Sequence, residues 1–168
     1  ANPASAHAGG AAASRALAQA RAEVAAALDV EPAELLFTSG GTEADALGVL
    51  GAARAARGRH VVVSALEHPA VMRCAEALAA DGYALDIVPP DRNGIVAADA
   101  IAAAVRADTA VVALMLVNNE LGTRQPVAEV AQRLGPPGDR KRPHLHVDAV
   151  QGFGLGRLRP RALGADSV

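Results

Sequence analysis

A chain of 168 residues, 51% of them hydrophobic, is long enough for one domain with a sizeable core, and with 2% aromatics that core must be aliphatic. Its net charge of −2, with acids and bases interspersed, argues against a nucleic-acid surface or a polybasic membrane contact. No apolar stretch approaches the ~20 residues that span a bilayer and no segment reads as a signal peptide, so a cytoplasmic protein without membrane contact is expected. One cysteine allows no internal disulfide and no cysteine metal cluster.

Residues 1–13, small and containing Pro and Gly, read as an extended arm. From Ser14 onward, Leu17, Ala20, Val24, Ala27 and Leu28 recur at helical period as far as Asp29. Glu31-Pro32 turns the chain into an apolar run, Leu35–Thr38, expected as a strand. After Ser39-Gly40-Gly41, Thr42 opens a helix to about Arg57, which Gly58 stops; Thr42 and Asp45 are spaced as a capping box. His60–Ala65 is a β-branched run suited to a buried strand. Pro69 fits a first helical position and pushes His68 into an extended conformation. The helix that follows carries Val71, Cys74 and Leu78 and stops near Asp81-Gly82. Tyr83–Val88 is the next strand, and Asn93-Gly94 signals a turn. A short helix over Ala98–Val105 precedes Ala110–Val117, the most hydrophobic strand. Pro126–Leu134 is a helix, Gly135–Pro143 a polar loop, and Leu145–Val150 a strand; Ala165–Val168 reads as the start of another. With no Met at position 1, both ends read as cut. Alternating strands and helices, with strands that are continuous apolar runs, predict an α/β fold: a mainly parallel sheet with helices on both faces.

Ligands of such sheets bind outside the carboxyl ends of the strands. Ser39–Thr42, Glu67-His68, Asn118-Asn119-Glu120, and Asp148 with Gln151 all fall at strand ends of that kind. A glycine turn feeding a helix N-terminus offers unpaired N–H groups and a partial positive charge, and no Cβ blocks a phosphate's approach. The stretch is not a P-loop, since no lysine follows the glycines, and it lacks the dinucleotide fingerprint. Taken alone it is equally an ordinary strand–turn–helix connection. His144, His146 and Asp148 share one strand face, a row that holds metal in some hydrolases. His144 lies at the strand's start, however, away from the ligand edge, and no metal site is expected. Gly152, Gly154 and Gly156 miss the nucleotide spacing and read as loop.

Together these residues resemble the cysteine desulfurases, NifS/IscS-like members of the class V aminotransferase group, which are fold type I pyridoxal-phosphate enzymes. The resemblance runs through Asn2-Pro3-Ala4-Ser5 with His7, Phe37–Asp45, Glu67–Val71, Asn93-Gly94, Val117–Gly122 and His146–Gln151. It implies that residues 1–168 are the central part of the cofactor-binding large domain. It also implies that Gly41 and Thr42 hold the phosphate of pyridoxal 5'-phosphate, and that His68 lies over the ring and relays a proton. Asp148 would face the pyridine nitrogen. Gln151 would approach the phenolic oxygen, and Asn119 that oxygen or the substrate carboxylate. The implied reaction converts L-cysteine to L-alanine, passing sulfur to a protein thiolate and on to an acceptor such as an iron–sulfur scaffold protein. A homodimer is implied as well. The family's cofactor-anchoring lysine and its nucleophilic cysteine lie beyond Val168. Lys141, in a Pro/Gly-rich loop, does not replace the first, and Cys74, on a core-facing helix position, does not replace the second. The chain alone is therefore expected to be inactive. A related selenocysteine lyase or aminotransferase-like enzyme, or a phosphate-binding domain without chemistry, are the alternatives.

Overall fold

The computed structural model describes residues 1–139 and 141–168. Helix α1 spans Ala8–Leu28 and so begins inside the stretch expected to be an arm. Its two glycines are helical for a local reason. The His7 ring accepts the Gly10 N–H at 3.2 Å, and the Ser5 carbonyl lies where a Gly10 Cβ would stand, 2.1 Å from it. The helix stops at Asp29, whose left-handed backbone (φ 59°) returns its N–H to the carbonyls of Ala25 and Ala26.

Leu35–Thr38, expected as a strand, pairs with no strand. The segment leaves a single 3₁₀ turn, Pro32–Glu34, in extended conformation. It is held from the side by Arg21 of α1, which donates to the Leu35 carbonyl and lies over the Phe37 ring at 4.9 Å. The helical run after it is composite: α2 (Gly41–Ala46), one π-helical turn (Leu47–Gly51) and α3 (Ala52–Ala55). The expected Thr42–Asp45 box does not form. Glu43 instead accepts from the Ser39 N–H at 2.5 Å and the Ser39 hydroxyl at 2.7 Å, which frees Asp45 for another partner.

The remaining elements follow the expected order: β1 (His60–Ser64), α4 (Pro69–Ala80), β2 (Ala84–Val88), α5 (Ala98–Ala104), β3 (Thr109–Ala113), α6 (Val127–Leu134) and β4 (His144–His146); a short helix not expected from the sequence, α7 (Pro160–Leu163), comes after them. The strands form one parallel sheet in the order β2-β1-β3-β4. Beyond the last full pairs, Leu114 and Leu116 donate to the carbonyls of His146 and Asp148, carrying the β3–β4 ladder out to the ligand edge. Outside β4, Ser167 forms a parallel bridge with His146, where a further strand was expected to begin.

Side chains alternate across the sheet, and both faces are covered. Val62, Val112, Leu114, Leu145 and Val147 pack with Ile101 of α5 and Val127 and Val130 of α6. Val61, Val63, Val111 and Ala113 pack with Val49, Ala53 and the α4 residues Val71, Cys74 and Leu78 on the other face. This division follows from handedness. The chain crosses from β1 to β2 in one direction and then runs back past β1 to β3 and β4. Right-handed crossovers in opposite directions put α4 on one face and α5 and α6 on the other. The reversal leaves a crevice at the carboxyl ends of β1 and β3. Among the described residues, no helix is long and apolar enough to cross a membrane.

A buried carboxyl group ties the two ends at that crevice. Glu67 Oε1 accepts from the Ser64 hydroxyl at 2.5 Å and from the Met115 N–H at 2.7 Å, so it spans from the end of β1 to the extension of β3. Its Oε2 is buried without a partner among the described residues. Burial, with Asp148 and Asp45 nearby, pushes its pKa from 4.5 up to about 7, against the opposing pull of the two hydrogen bonds. The folded state thus keeps this proton to higher pH than the unfolded chain does. Stability from this group falls as pH rises from about 4.5 to about 7, then levels. Urea unfolding at pH 5 and pH 8 should show wild type losing roughly 2–3 kcal/mol relative to Glu67→Gln across that interval. Parallel pH profiles for the two proteins would contradict this assignment.

Candidate functional site

The six residues singled out from the sequence, Gly41, Thr42, His68, Asn119, Asp148 and Gln151, all line one cavity of about 280 Å³ at the carboxyl edge of the sheet. They come from four separate segments, three of which follow β1, β3 and β4. The volume lies near the lower end of the range for small-ligand sites, about 300 Å³ upward, and suits one ring with short substituents. Asp45, Met115, Val117 and Val150 complete the lining.

The glycine turn supplies Gly41 and Thr42 to the lining. The Ser39–Glu43 bonds and the Thr38 hydroxyl, which donates to the Gly40 carbonyl at 3.1 Å, fix its shape. Among the described residues no hydrogen bond engages the N–H groups of Gly41 or Thr42, or the Thr42 hydroxyl. Gly41 must be small: a Cβ there would lie 3.0 Å from Val150 Cγ2. These unpaired donors at a helix start suit an anion.

Asp148 lines the same cavity. It is buried and accepts one backbone N–H, from Val150 at 2.9 Å. Burial raises its pKa and Asp45 adds to that, while the Val150 N–H, His146 and His68 act in the opposite direction. A carboxylate so placed gains most from a cationic nitrogen brought into the cavity. The cavity therefore offers donors for an anion and a carboxylate for a protonated nitrogen, and a group carrying both matches the donor set.

His68 caps α4, and its Nδ1 accepts the Ala70 N–H at 3.2 Å. In the neutral ring this assigns the proton to Nε2. The Asn118-Asn119 pair divides its labour. Asn118 is buried and structural: its oxygen takes the N–H groups of Glu120 and Leu121, and its amide donates to the Leu66 carbonyl. Asn119 is exposed and faces the cavity. Gln125 escaped the sequence reading because its partners are distant. It takes the Val96 N–H and donates to the Gly94 carbonyl, holding the Asn93-Gly94 turn beside the loop after β3.

Other candidates separate from this site. Cys74 is buried in the core beneath α4, and burial raises its thiol pKa, the reverse of an activated nucleophile. Lys141 is exposed and lines a different cavity with Gly58, Thr109 and His144, near the amino ends of the strands. In the H-x-H-x-D row, His144 and His146 both meet the Ser167 hydroxyl, at 2.7 and 2.8 Å, and His146 also meets Asp45. Each ring of that row thus has a protein partner.

Comparison with known proteins identifies the family. The aminotransferase class-V family profile matches residues 1–168. A cysteine desulfurase IscS of Methanosarcina thermophila is 37% identical over 167 residues, covering 98% of this chain and 40% of the relative. The crystal structure of DndA from Streptomyces lividans superposes with a TM-score of 0.83 at 40% identity, covering 98% of this chain and 45% of that one. A NifS-like protein superposes with a TM-score of 0.90 at 34% identity, covering 99% and 46%. The chain thus spans less than half the length of these relatives. With the family profile matched end to end and the sheet superposing on these structures, this chain belongs to the class-V aminotransferase family.

Proposed function

We propose that residues 1–168 form the central part of the pyridoxal-phosphate-binding large domain of a cysteine desulfurase. The observation that carries this reading is the convergence of Gly41, Thr42, His68, Asn119, Asp148 and Gln151 on one cavity that offers unpaired anion donors and a carboxylate. The similarity to proteins named cysteine desulfurase supports the substrate, L-cysteine.

Each residue then has a task set by its environment. The Gly41 and Thr42 N–H groups and the Thr42 hydroxyl hold the cofactor phosphate. Asp148 accepts from the protonated pyridine nitrogen, and the positive charge there supports the ionised carboxylate that burial disfavours. His68 covers the ring. With Nδ1 held by Ala70, Nε2 is the atom that exchanges a proton with the bound amino acid. Asn119 and Gln151 donate amide N–H groups to ligand oxygens. When bound, the cofactor supplies an electron sink for the charge left at the substrate Cα. The anchoring lysine and the thiolate that takes the sulfur come from outside residues 1–168, since neither Lys141 nor Cys74 is placed for the work.

The reading extends to a homodimer and to a sulfur acceptor such as an iron–sulfur scaffold protein, within the cytoplasm. Exposed Leu121, Val150, Phe153 and Leu155 follow the carboxyl ends of β3 and β4, where a second copy would cover apolar surface.

The test uses the full-length parent enzyme loaded with pyridoxal phosphate. L-Cysteine with a reductant should yield L-alanine and sulfide in equal amounts, with selenocysteine as a parallel substrate. Asp148→Asn should slow alanine formation by about 10- to 150-fold, the worth of a hydrogen bond to a charged group. Full activity in that variant, or pyruvate in place of alanine, would contradict the proposal. Thr42→Ala should weaken cofactor binding by about 10-fold or more, measured by titration of the apoenzyme.

A further inference from the structure

Asp45 and His146 form a buried pair that the reading above does not use. They are 4% and 1% exposed, and they lie 101 positions apart in sequence. His146 Nε2 is 3.3 Å from Asp45 Oδ1. Its Nδ1 is 2.8 Å from the Ser167 hydroxyl, which also lies 2.7 Å from His144 Nε2. One set of neutral tautomers satisfies every group. His144 Nε2–H donates to Ser167, the Ser167 hydroxyl donates to His146 Nδ1, and His146 Nε2–H donates to Asp45.

The helix is cut to admit this ring. A Cβ on Gly48 would fall 2.2 Å from His146 Nδ1 and 2.4 Å from Cε1, so only glycine leaves room for the imidazole. Gly48 lies in the π-helical turn, one residue beyond its start. Such turns occur inside helices mostly as single wide turns at functional sites. Asp45 lines the ligand cavity itself.

We propose that Asp45 and His146 are positioning residues: a clasp that locks α2, which carries Gly41 and Thr42, to β4, whose extension carries Asp148. The inference rests on the functional reading above. A ligand recognised at two ends gains from the second end only if the two sites are held at the right separation. A displacement of about 1 Å in such a site costs on the order of 100-fold. Residues 41 and 42 precede Asp45 on one helix, and Asp148 follows His146 by two on one strand face. The clasp therefore joins the two recognition ends through the shortest covalent paths.

The experiment measures affinities of the parent apoenzyme for pyridoxal phosphate and for pyridoxal, which lacks the phosphate. In wild type the phosphate form should bind far more tightly. Asp45→Ala and Gly48→Ala should shrink that ratio by about 10-fold or more while pyridoxal affinity stays within about 3-fold. Asp45→Asn keeps an acceptor for His146 Nε2–H and should retain most of the ratio. An unchanged ratio in Asp45→Ala, an equal loss of both ligands, or an Asp45→Asn variant as impaired as Asp45→Ala would overturn the clasp alone. A wild type that does not prefer the phosphate form would overturn the functional reading and the clasp with it.

Discussion

Helices exclude water from both faces of the parallel sheet, so a carboxyl group set at its ligand edge loses hydration and must find other partners. Three carboxyl groups occupy that edge, each answered differently. Glu67 has the Ser64 hydroxyl and the Met115 N–H, and burial raises its proton affinity so that it holds its proton to higher pH than a solvated glutamate does. Asp45 has the imidazole of His146. Asp148 has one backbone N–H and lies open to the cavity. The charge of Asp45 opposes ionisation of Asp148 beside it. That opposition favours a cationic nitrogen as the ligand group that meets Asp148.

The same constraint explains how the edge is built. Glu67 fixes the opening between β1 and the extension of β3, directly beneath His68. The Asp45–His146 pair fixes the approach of α2, and Gly48 with its π turn makes space for it. The topology supplies the opening in the first place, because the chain reverses direction between β1 and β3. Polar side chains at the opposite, amino edge, including Lys141 and His144, border a separate cavity and do not reach this chemistry.

Much of this was legible in the sequence because it is local. The β-branched runs, Pro69 and the Asn93-Gly94 turn fixed the parallel sheet and its ends, and all six candidate residues met in one cavity. The errors came where a local pattern was overruled by a distant partner. Leu35–Thr38 has strand composition, yet Arg21 on α1 holds it in place of a neighbouring strand. Gly9 and Gly10 read as an arm because nothing in sequence shows the Ser5 carbonyl packed against the helix. Asp45 sits at capping-box spacing, but Ser39 binds Glu43, and Asp45 is claimed by a histidine on another element. Its role could be read only once the helix and the last strand were placed side by side.

The central claim is that the carboxyl edge of this sheet binds one ligand at two ends. A crystal structure of the parent protein with pyridoxal phosphate tests it directly. The account places the phosphate on the N–H groups of Gly41 and Thr42, the ring against His68, and the pyridine nitrogen within hydrogen-bond distance of Asp148. A cofactor bound elsewhere, or one whose nitrogen faces away from Asp148, would contradict it.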